Sequence, residues 1–261
     1  LVPVGLSFTI AQWGWRTAWI VSASTVAMVV IPLAWFGIID RPSSVGQHPD
    51  GLDPHPDPQK RAAVRPSMDR SAALRTRAFW VLAAASGGAS MLSTGLNFHQ
   101  IALLGESGFS QTEAASLFLP QVVGTSVGSP LMGVALDKIG ARFAPLVSLL
   151  LLSATLLLAS QVSTLPAVIC YAVLFGLMSG TVRTLGAALV PKWFGLDHIG
   201  SIQGALMFIG VLASAIGPIA FSVTASATGS FRSTALLWAA LPLVGAVFAA
   251  TNHPSRRVRA S

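Results

Sequence analysis

The stretch GVALDKIGAR at residues 133–142 places three charged side chains between two long apolar runs. Only 10% of the 261 residues are charged, whereas soluble globular proteins average roughly 25%. The runs on either side, residues 114–136 and 143–182, contain no Asp, Glu, Lys or Arg. We therefore interpret the stretch as a short polar turn between two segments that lie in lipid.

Charge-free runs of this kind occur along the whole chain. A helix of about 20 apolar residues crosses a bilayer core, and the longest run, 143–182, divides at a polar turn that ends in Pro166. Helices are expected because lipid-exposed backbone must satisfy its own hydrogen bonds. The sequence thus predicts an all-α, polytopic membrane helix bundle with seven transmembrane helices, at about 17–39, 78–103, 113–135, 143–160, 166–190, 199–225 and 233–251.

The distribution of basic residues predicts the orientation of these helices. If the connection 40–77 is cytoplasmic, 13 of the 16 Lys and Arg residues lie inside, Arg16 and Arg232 lie outside, and Arg183 lies within a span. This is the positive-inside bias of bacterial membrane proteins. It explains the net charge of +7 without nucleic acid, and it places the C-terminus in the cytoplasm.

The residues of the quoted stretch suit a tight turn between helices. Asp137 could accept hydrogen bonds from the N-terminus of a neighbouring helix, Gly133 permits a close helix approach, and Gly140 permits a sharp turn. Lys138 and Arg142 would hold the turn inside. Charge alone is equally typical of a generic basic loop.

The full pattern G-x-x-x-D-K-x-G-x-R resembles the signature loop of the major facilitator superfamily, which recurs in each six-helix half. It is matched by Gly133, Asp137, Lys138, Gly140 and Arg142, while Phe143 replaces the family's second basic residue. The resemblance implies a secondary transporter in which this motif contributes to conformational gating between two rocking halves.

Shorter patterns resemble the bacterial oxalate–formate and monocarboxylate porter type, namely Gly14-Trp15-Arg16, Arg41-Pro42, Pro49-Asp50-Gly51 and Gly217-Pro218. On this mapping the chain covers helices six to twelve, and the N-terminal half of the same protein is missing. The implied domains are residues 1–39 (the end of one helix and a transmembrane helix of the N-terminal half), 40–77 (a cytoplasmic linker), 78–251 (a six-helix bundle) and 252–261 (a basic cytoplasmic tail).

Arg183 is the strongest candidate for contact with a substrate. It lies within the 166–190 span, and a cation at that depth is costly and usually functional or paired. No Asp or Glu lies deep in any span, so the sequence leaves three interpretations. Arg183 binds the carboxylate of an anionic substrate, it snorkels to the interface, or it pairs with an acid in the missing half.

Other polar residues in the spans are candidates to line the same pathway. Asn97 and Gln100 are three residues apart and share a helix face, and Gln121 lies near the middle of its helix. Ser90, Ser93 and Thr94 could line the cavity or only bond their own helix backbone. His99 points elsewhere and is expected to be a hydrogen-bonded interface residue rather than a proton carrier.

The chain lacks the motifs of several other classes. It has no nucleotide-binding Gly-Lys-Ser/Thr run and no HExxH or Gly-x-Ser-x-Gly pattern, and Cys170 is its only cysteine. We therefore expect no enzyme, cofactor or metal site. The predicted function is secondary transport of small organic anions, such as mono- or dicarboxylates, across the bacterial cytoplasmic membrane. The alternatives are a truncated, non-transporting fragment and a membrane sensor built on a transporter fold.

Overall fold

The computed structural model describes residues 2–37, 67–138, 140–141 and 143–251, and these are helical apart from short turns. The chain divides into two compact units, residues 1–64 and residues 65–261, which are described separately. Within the described ranges, seven helical segments are long and apolar enough to cross a membrane. The predicted all-α class and the predicted seven spans are confirmed.

The first unit consists of α1 (Val2–Thr25), a π-helical segment (Val26–Val30) and α2 (Ile31–Gly37). Gly14 interrupts α1 with a positive φ of 79°, a conformation that glycine adopts without steric cost. The membrane-length segment runs from Gln12 to Gly37, so it begins five residues earlier than the predicted 17–39. Residues 40–66 of the predicted linker lie outside the described ranges.

The second unit contains the remaining helices. They are α3 (Arg70–Leu74), α4 (Arg77–Gly105), α5 (Gln111–Ser116), α6 (Phe118–Lys138), α7 (Ala144–Gln161), α8 (Leu165–Phe194), α9 (Ile199–Thr228), α10 (Phe231–Trp238) and α11 (Ala240–Thr251). The last membrane-length segment, Phe231–Ala250, is formed by α10 and α11 together.

The predicted start of the third span is wrong, as is that of the first. The third span begins at Phe118 instead of residue 113, because residues 111–116 form the separate helix α5. Ser110 and Glu113 explain that separate start, since the Ser110 amide donates to the Glu113 carboxylate at 2.8 Å and the Glu113 amide donates to the Ser110 hydroxyl at 3.3 Å. This reciprocal pair is a capping box, which fixes a helix N-terminus at that point.

Hydrogen bonds between turns show which helix ends lie together, and they indicate that consecutive long helices are antiparallel. At one end of the bundle, the Ser107 hydroxyl donates to the Val162 carbonyl at 2.8 Å and the Arg232 Nε donates to the Ser160 carbonyl at 2.9 Å. We call this the Glu106 end. At the opposite end, the linker end, the Met68 amide donates to the Phe194 carbonyl at 2.8 Å.

Helices α6 and α8 cross at very close range. Gly124 and Gly128 on α6 face Gly176 and Gly180 on α8, and a Cβ on any of the four would overlap backbone atoms of the other helix. Small residues permit this approach, and van der Waals contact between the backbones then stabilises it. In the sequence, the four-residue spacing of Gly124/Gly128, Gly176/Gly180 and Gly200/Gly204 predicts tight helix packing. For the first two pairs this prediction is confirmed, and we call their contact the sealed seam.

Helices α4 and α9 form a second close contact. A Cβ on Gly217 would overlap the Met91 carbonyl, and one on Gly95 would lie 2.5 Å from the Phe221 ring. We call this contact the open seam, because a cavity lies along it. The third predicted small-residue pair, Gly200 and Gly204, packs against nothing within 4 Å in the described part of the chain, so that packing prediction is wrong.

The turn that carries the signature pattern lies at the end of α6. Gly140 has a positive φ of 92°, which agrees with the expected sharp turn, and its carbonyl accepts from the Phe143 amide at 3.2 Å. Asp137 is exposed. Among the described residues, no atom of another helix lies within 4 Å of a Cβ built on Gly133, so the close approach expected there stays a prediction. Arg142 lies outside the described residues.

Candidate substrate cavity

Three long helices, α4, α8 and α9, line an open cavity of about 810 Å³. This volume lies within the range of small-molecule sites. Most of the lining is apolar, and it includes Phe98, Met207 and Val211. The polar side chains that join them are Ser86, Ser90, Thr94, Gln203 and Ser214, and the single charged side chain among the described lining residues is Arg183.

Arg183 lies on α8, roughly 16 Å along the helix from its end at Phe194. That end belongs to the linker end of the bundle, so Arg183 is a few residues from the middle of its helix. Its side chain is exposed and lines the cavity. Within the ranges that the structure describes, no hydrogen bond or ion pair engages it. A guanidinium in this setting can donate two parallel hydrogen bonds to a carboxylate.

Gln203 approaches Arg183's helix from α9. Its Nε2 donates to the Gly186 carbonyl at 3.4 Å, a long hydrogen bond one turn beyond Arg183. Both Gly186 and Gln203 line the cavity. The amide oxygen of Gln203 remains available as an acceptor near the linker end of the cavity.

Hydroxyl groups follow one face of α4 at intervals of one turn. Ser86 donates to the Leu82 carbonyl of its own helix at 2.7 Å, so its proton is already used. Thr94 shares a hydrogen bond of 2.7 Å with Ser214 on α9. Ser90 lies between them and has no hydrogen-bond partner in the described part of the protein. Its hydroxyl oxygen faces Gly210 on α9, 3.4 Å from where a Cβ on that glycine would lie.

A proline changes the backbone of α9 beside this hydroxyl column. Pro218 has no N–H, so the Ser214 carbonyl loses the donor that normally closes the helical turn. Both residues line the cavity. The Pro218 carbonyl in turn lies 3.1 Å from His99 Nε2, so His99 is the hydrogen-bonded interface residue that the sequence favoured. Pro191 on α8 removes the corresponding donor from the Ala187 carbonyl.

The two glutamines predicted to line the pathway lie elsewhere. Gln121 Nε2 donates to Gln100 Oε1 at 2.7 Å, and the Tyr171 hydroxyl donates to the same oxygen at 3.3 Å. Gln100 Nε2 donates to the Ala114 carbonyl at 3.3 Å. Gln100 and Gln121 are both buried, and neither lines the described cavity. The three side chains form an amide cluster between α4, α6 and α8.

Asn97 and the signature turn are also separate from the cavity. Asn97 is exposed on α4, next to the cavity residue Phe98, but does not itself line the cavity. Asp137, Lys138 and Gly140 lie at the linker end of α6, a helix that contributes no lining residue. In the described ranges, no three His, Cys, Asp or Glu side chains are grouped to hold a metal ion.

Sequence reasoning missed Ser214 and Phe98 as cavity residues. A signal for Ser214 was present, since a serine one turn before a proline in a helix combines a hydroxyl with a carbonyl that has lost its donor. Nothing in the sequence alone shows that α9 faces α4 at this level, which is what joins Ser214 to Thr94.

Comparison with known proteins agrees with this architecture. The family model of the Major Facilitator Superfamily matches residues 94–261, which is more than half of the chain and includes α6 to α11 with most of the cavity. No curated protein matches this chain significantly. The match is to the superfamily as a whole, whose members are membrane transporters that bind small molecules. The chain therefore belongs to the Major Facilitator Superfamily.

Proposed function

We propose that this chain belongs to a secondary transporter of small organic anions, mono- or dicarboxylates, that works by alternating access. The observation that carries the proposal is the position of Arg183 in the open cavity, without a protein partner among the described residues. The resemblance of residues 14–16, 41–42 and 49–51 to carboxylate porters supports the same substrate class.

An unpaired guanidinium at this depth favours an anionic ligand. In water the charge is hydrated, but closing the cavity would remove that water and leave the cation costly to bury. A carboxylate that enters with two parallel hydrogen bonds offsets the cost. A cavity that holds substrate would then close more easily than an empty one. Alternating access requires this coupling between substrate binding and closure.

The remaining half of the cavity wall is proposed to come from the N-terminal half of the same protein. Among the described residues, the cavity is lined by α4, α8 and α9, and these leave the rest of its perimeter open. Substrate sites of such transporters lie near the bilayer midplane between two repeats. Gating is assigned to the turn of Gly133, Asp137, Lys138, Gly140 and Arg142, where Gly140 supplies the bend.

The proposed location is the bacterial cytoplasmic membrane with the linker end and the C-terminus in the cytoplasm. The described basic residues Arg75, Arg77, Lys138 and Lys192 lie near the linker end, which agrees with the positive-inside bias. A reporter that is active only in the cytoplasm, fused after Ser261, is expected to be active. If a reporter that is active only after export shows activity at the same position, the proposed orientation is wrong.

The decisive test is carboxylate uptake by the full-length protein in proteoliposomes. Arg183→Ala is expected to weaken uptake of radiolabelled carboxylates by about 10- to 100-fold, the range for losing a charged hydrogen-bond pair. Arg183→Lys keeps the charge but not the bidentate fork, so an intermediate effect is expected. Arg75→Ala, an exposed arginine at the linker end, is the matched control. Normal uptake by Arg183→Ala would exclude Arg183 as the anion site.

A further inference from the structure

We propose that the cavity contains an oxygen-lined subsite that receives a hydroxyl group of the substrate, several carbons away from the carboxylate. The subsite is formed by the hydroxyls of Ser90, Thr94 and Ser214 and by the backbone carbonyl of Ser214. The inference rests on the proposed function, because it takes Arg183 as the carboxylate site. It narrows the substrate to a singly charged carboxylate with a remote hydroxyl.

The subsite has acceptor and donor capacity that the protein does not use. The Ser90 hydroxyl has no hydrogen-bond partner within the described ranges. The Thr94–Ser214 hydrogen bond uses one of the two hydroxyl protons, so the other proton and the remaining lone pairs are left for a ligand. Pro218 cannot supply an N–H to the Ser214 carbonyl. A ligand hydroxyl, which both donates and accepts, matches this combination of groups.

The charge of the lining favours a neutral hydroxyl over a second ionised group. No Asp or Glu lines the cavity among the described residues, so an ammonium group would lose its hydration without a counter-ion. A second carboxylate would face hydroxyls and apolar side chains with no second cation. Phe98 and Val211 line the cavity near the subsite and suit the methylene carbons between the two polar ends of the ligand.

Helix geometry sets the separation between the two polar ends. The Gln203–Gly186 hydrogen bond places these two residues at a similar level, and from that level Arg183 lies roughly 4 Å and Ser214 roughly 16 Å toward the Glu106 end. Side chains on a helix lean toward its N-terminus, so the arginine side chain on α8 extends toward Ser214 and covers part of this difference of roughly 12 Å. The gap that remains exceeds the separation of the polar groups in a 2-hydroxy acid. It suits a hydroxyl on the fourth carbon of a short acid, so the subsite selects by hydroxyl position.

The test is a hydroxyl position scan with four probes. Affinities of butanoate, 2-hydroxybutanoate, 3-hydroxybutanoate and 4-hydroxybutanoate are measured by titration calorimetry on the purified full-length protein. 4-Hydroxybutanoate is expected to bind about 10-fold more tightly than butanoate, the gain of one to two buried hydrogen bonds. 2-Hydroxybutanoate is expected to show no gain.

Two variants then assign the preference to the subsite. Thr94→Val and Pro218→Ala are each expected to reduce the 10-fold preference to about 3-fold or less. The first removes a subsite hydroxyl, and the second restores a backbone N–H that occupies the Ser214 carbonyl. Pro130→Ala, which changes an exposed helical proline on α6 away from the cavity, is the matched control. Arg183→Ala is expected to weaken all four probes equally.

The outcomes separate this inference from the proposed function. A preference for the 2-hydroxy acid, no preference, or a 4-hydroxy preference that survives both Thr94→Val and Pro218→Ala would overturn the subsite. Each of these results leaves the anion site intact if Arg183→Ala still weakens carboxylate binding. If Arg183→Ala binds butanoate normally, the proposed anion site itself fails.

Discussion

The sealed seam between α6 and α8 and the open seam between α4 and α9 use the same small-residue packing for different purposes. The sealed seam brings four glycines against backbone atoms. The open seam has the close approach at Gly95 and Gly217, but next to it lie the Thr94–Ser214 hydrogen bond and the cavity. Close backbone contact can thus hold a helix pair together while leaving one side free for a ligand.

Polar groups in the two regions also differ in how completely they are used. Next to the sealed seam, the Gln100 oxygen accepts from both Gln121 and Tyr171, and the cluster is buried. Along the open seam, Ser90 has no hydrogen-bond partner among the described residues, and Pro218 supplies no N–H to the Ser214 carbonyl. Satisfied polar groups rigidify a membrane bundle, whereas unsatisfied ones at an accessible surface are available to a substrate.

The largest expected effect is a change at the sealed seam. Gly176→Leu would drive a side chain into the Gln121 carbonyl, so the free energy of unfolding is expected to fall by about 3 kcal/mol or more. Gly204→Leu, at an exposed helical glycine with open space around it, is the control and should change little. Thermal unfolding in detergent measures both. Equal stability of the two variants would contradict the close contact of α6 and α8.

A smaller effect is expected in the amide cluster beside that seam. Gln121→Leu removes one donor from the Gln100 oxygen, and the free energy of unfolding is expected to fall by about 1 kcal/mol, typical of a hydrogen bond between membrane helices. Because Gln121 does not line the cavity, carboxylate affinity should be unchanged.

Arg183→Ala is expected to give the reverse pattern, with weaker carboxylate binding and unchanged unfolding. Measuring unfolding and binding on both variants therefore separates the structural polar cluster from the ligand site. If Gln121→Leu weakens carboxylate binding by more than its smaller fraction of folded protein explains, Gln121 contacts the substrate pathway.

The amount that the sequence predicts differs between these regions. The spans follow from length and hydropathy alone, because a bilayer imposes both, and the α6–α8 contact follows from two small-residue pairs. The same spacing at Gly200 and Gly204 was misleading, since spacing places residues on one face but does not say what that face meets. Only the neighbouring helix decides this.

The glutamines show the same limit at the candidate site. Helical periodicity placed Gln100 on a face and Gln121 at mid-depth, but it could not show that the two side chains meet each other. Arg183 was identifiable because a charge in a span is costly wherever the helix lies. The Ser90, Thr94 and Ser214 group depends on the relative position of α4 and α9, and a single sequence does not encode that in a readable pattern.

The carboxylate of Glu106, at the end of α4, makes hydrogen bonds whose strength depends on pH. Glu106 accepts hydrogen bonds from the Ser230 hydroxyl at 2.6 Å and from the Phe231 and Arg232 amides at 2.7 and 3.2 Å, and so caps α10. Burial alone would raise the pKa of the Glu106 carboxyl, but the Ser230 and amide hydrogen bonds outweigh it and hold this pKa below the ordinary 4.5. The cap thus joins the end of α4, one helix of the open seam, to the start of α10.

Glu106→Gln is expected to lower the free energy of unfolding by about 1 kcal/mol at neutral pH, as for loss of a helix cap. A lowered folded-state pKa contributes stability that is present above pH 4.5 and lost as the pH falls through the lower folded value. The difference between wild type and Glu106→Gln should therefore shrink in that acid window. A difference independent of pH from neutral to acid would show that the charge of Glu106 is not responsible.

The smallest expected effect lies in the open seam itself. Thr94→Val keeps the shape of the side chain but removes the 2.7 Å hydrogen bond to Ser214, and about 0.6 kcal/mol of unfolding free energy is expected to be lost. The loss is small because the close contact at Gly217 remains. A double-mutant cycle with Ser214→Ala isolates the pair, since unfolding free energies that simply add would show no coupling between α4 and α9 at this point. Coupling of about 0.6 kcal/mol, beside a loss of about 3 kcal/mol at Gly176, would show that the glycine contact of the sealed seam contributes more to stability than the Thr94–Ser214 hydrogen bond of the open seam.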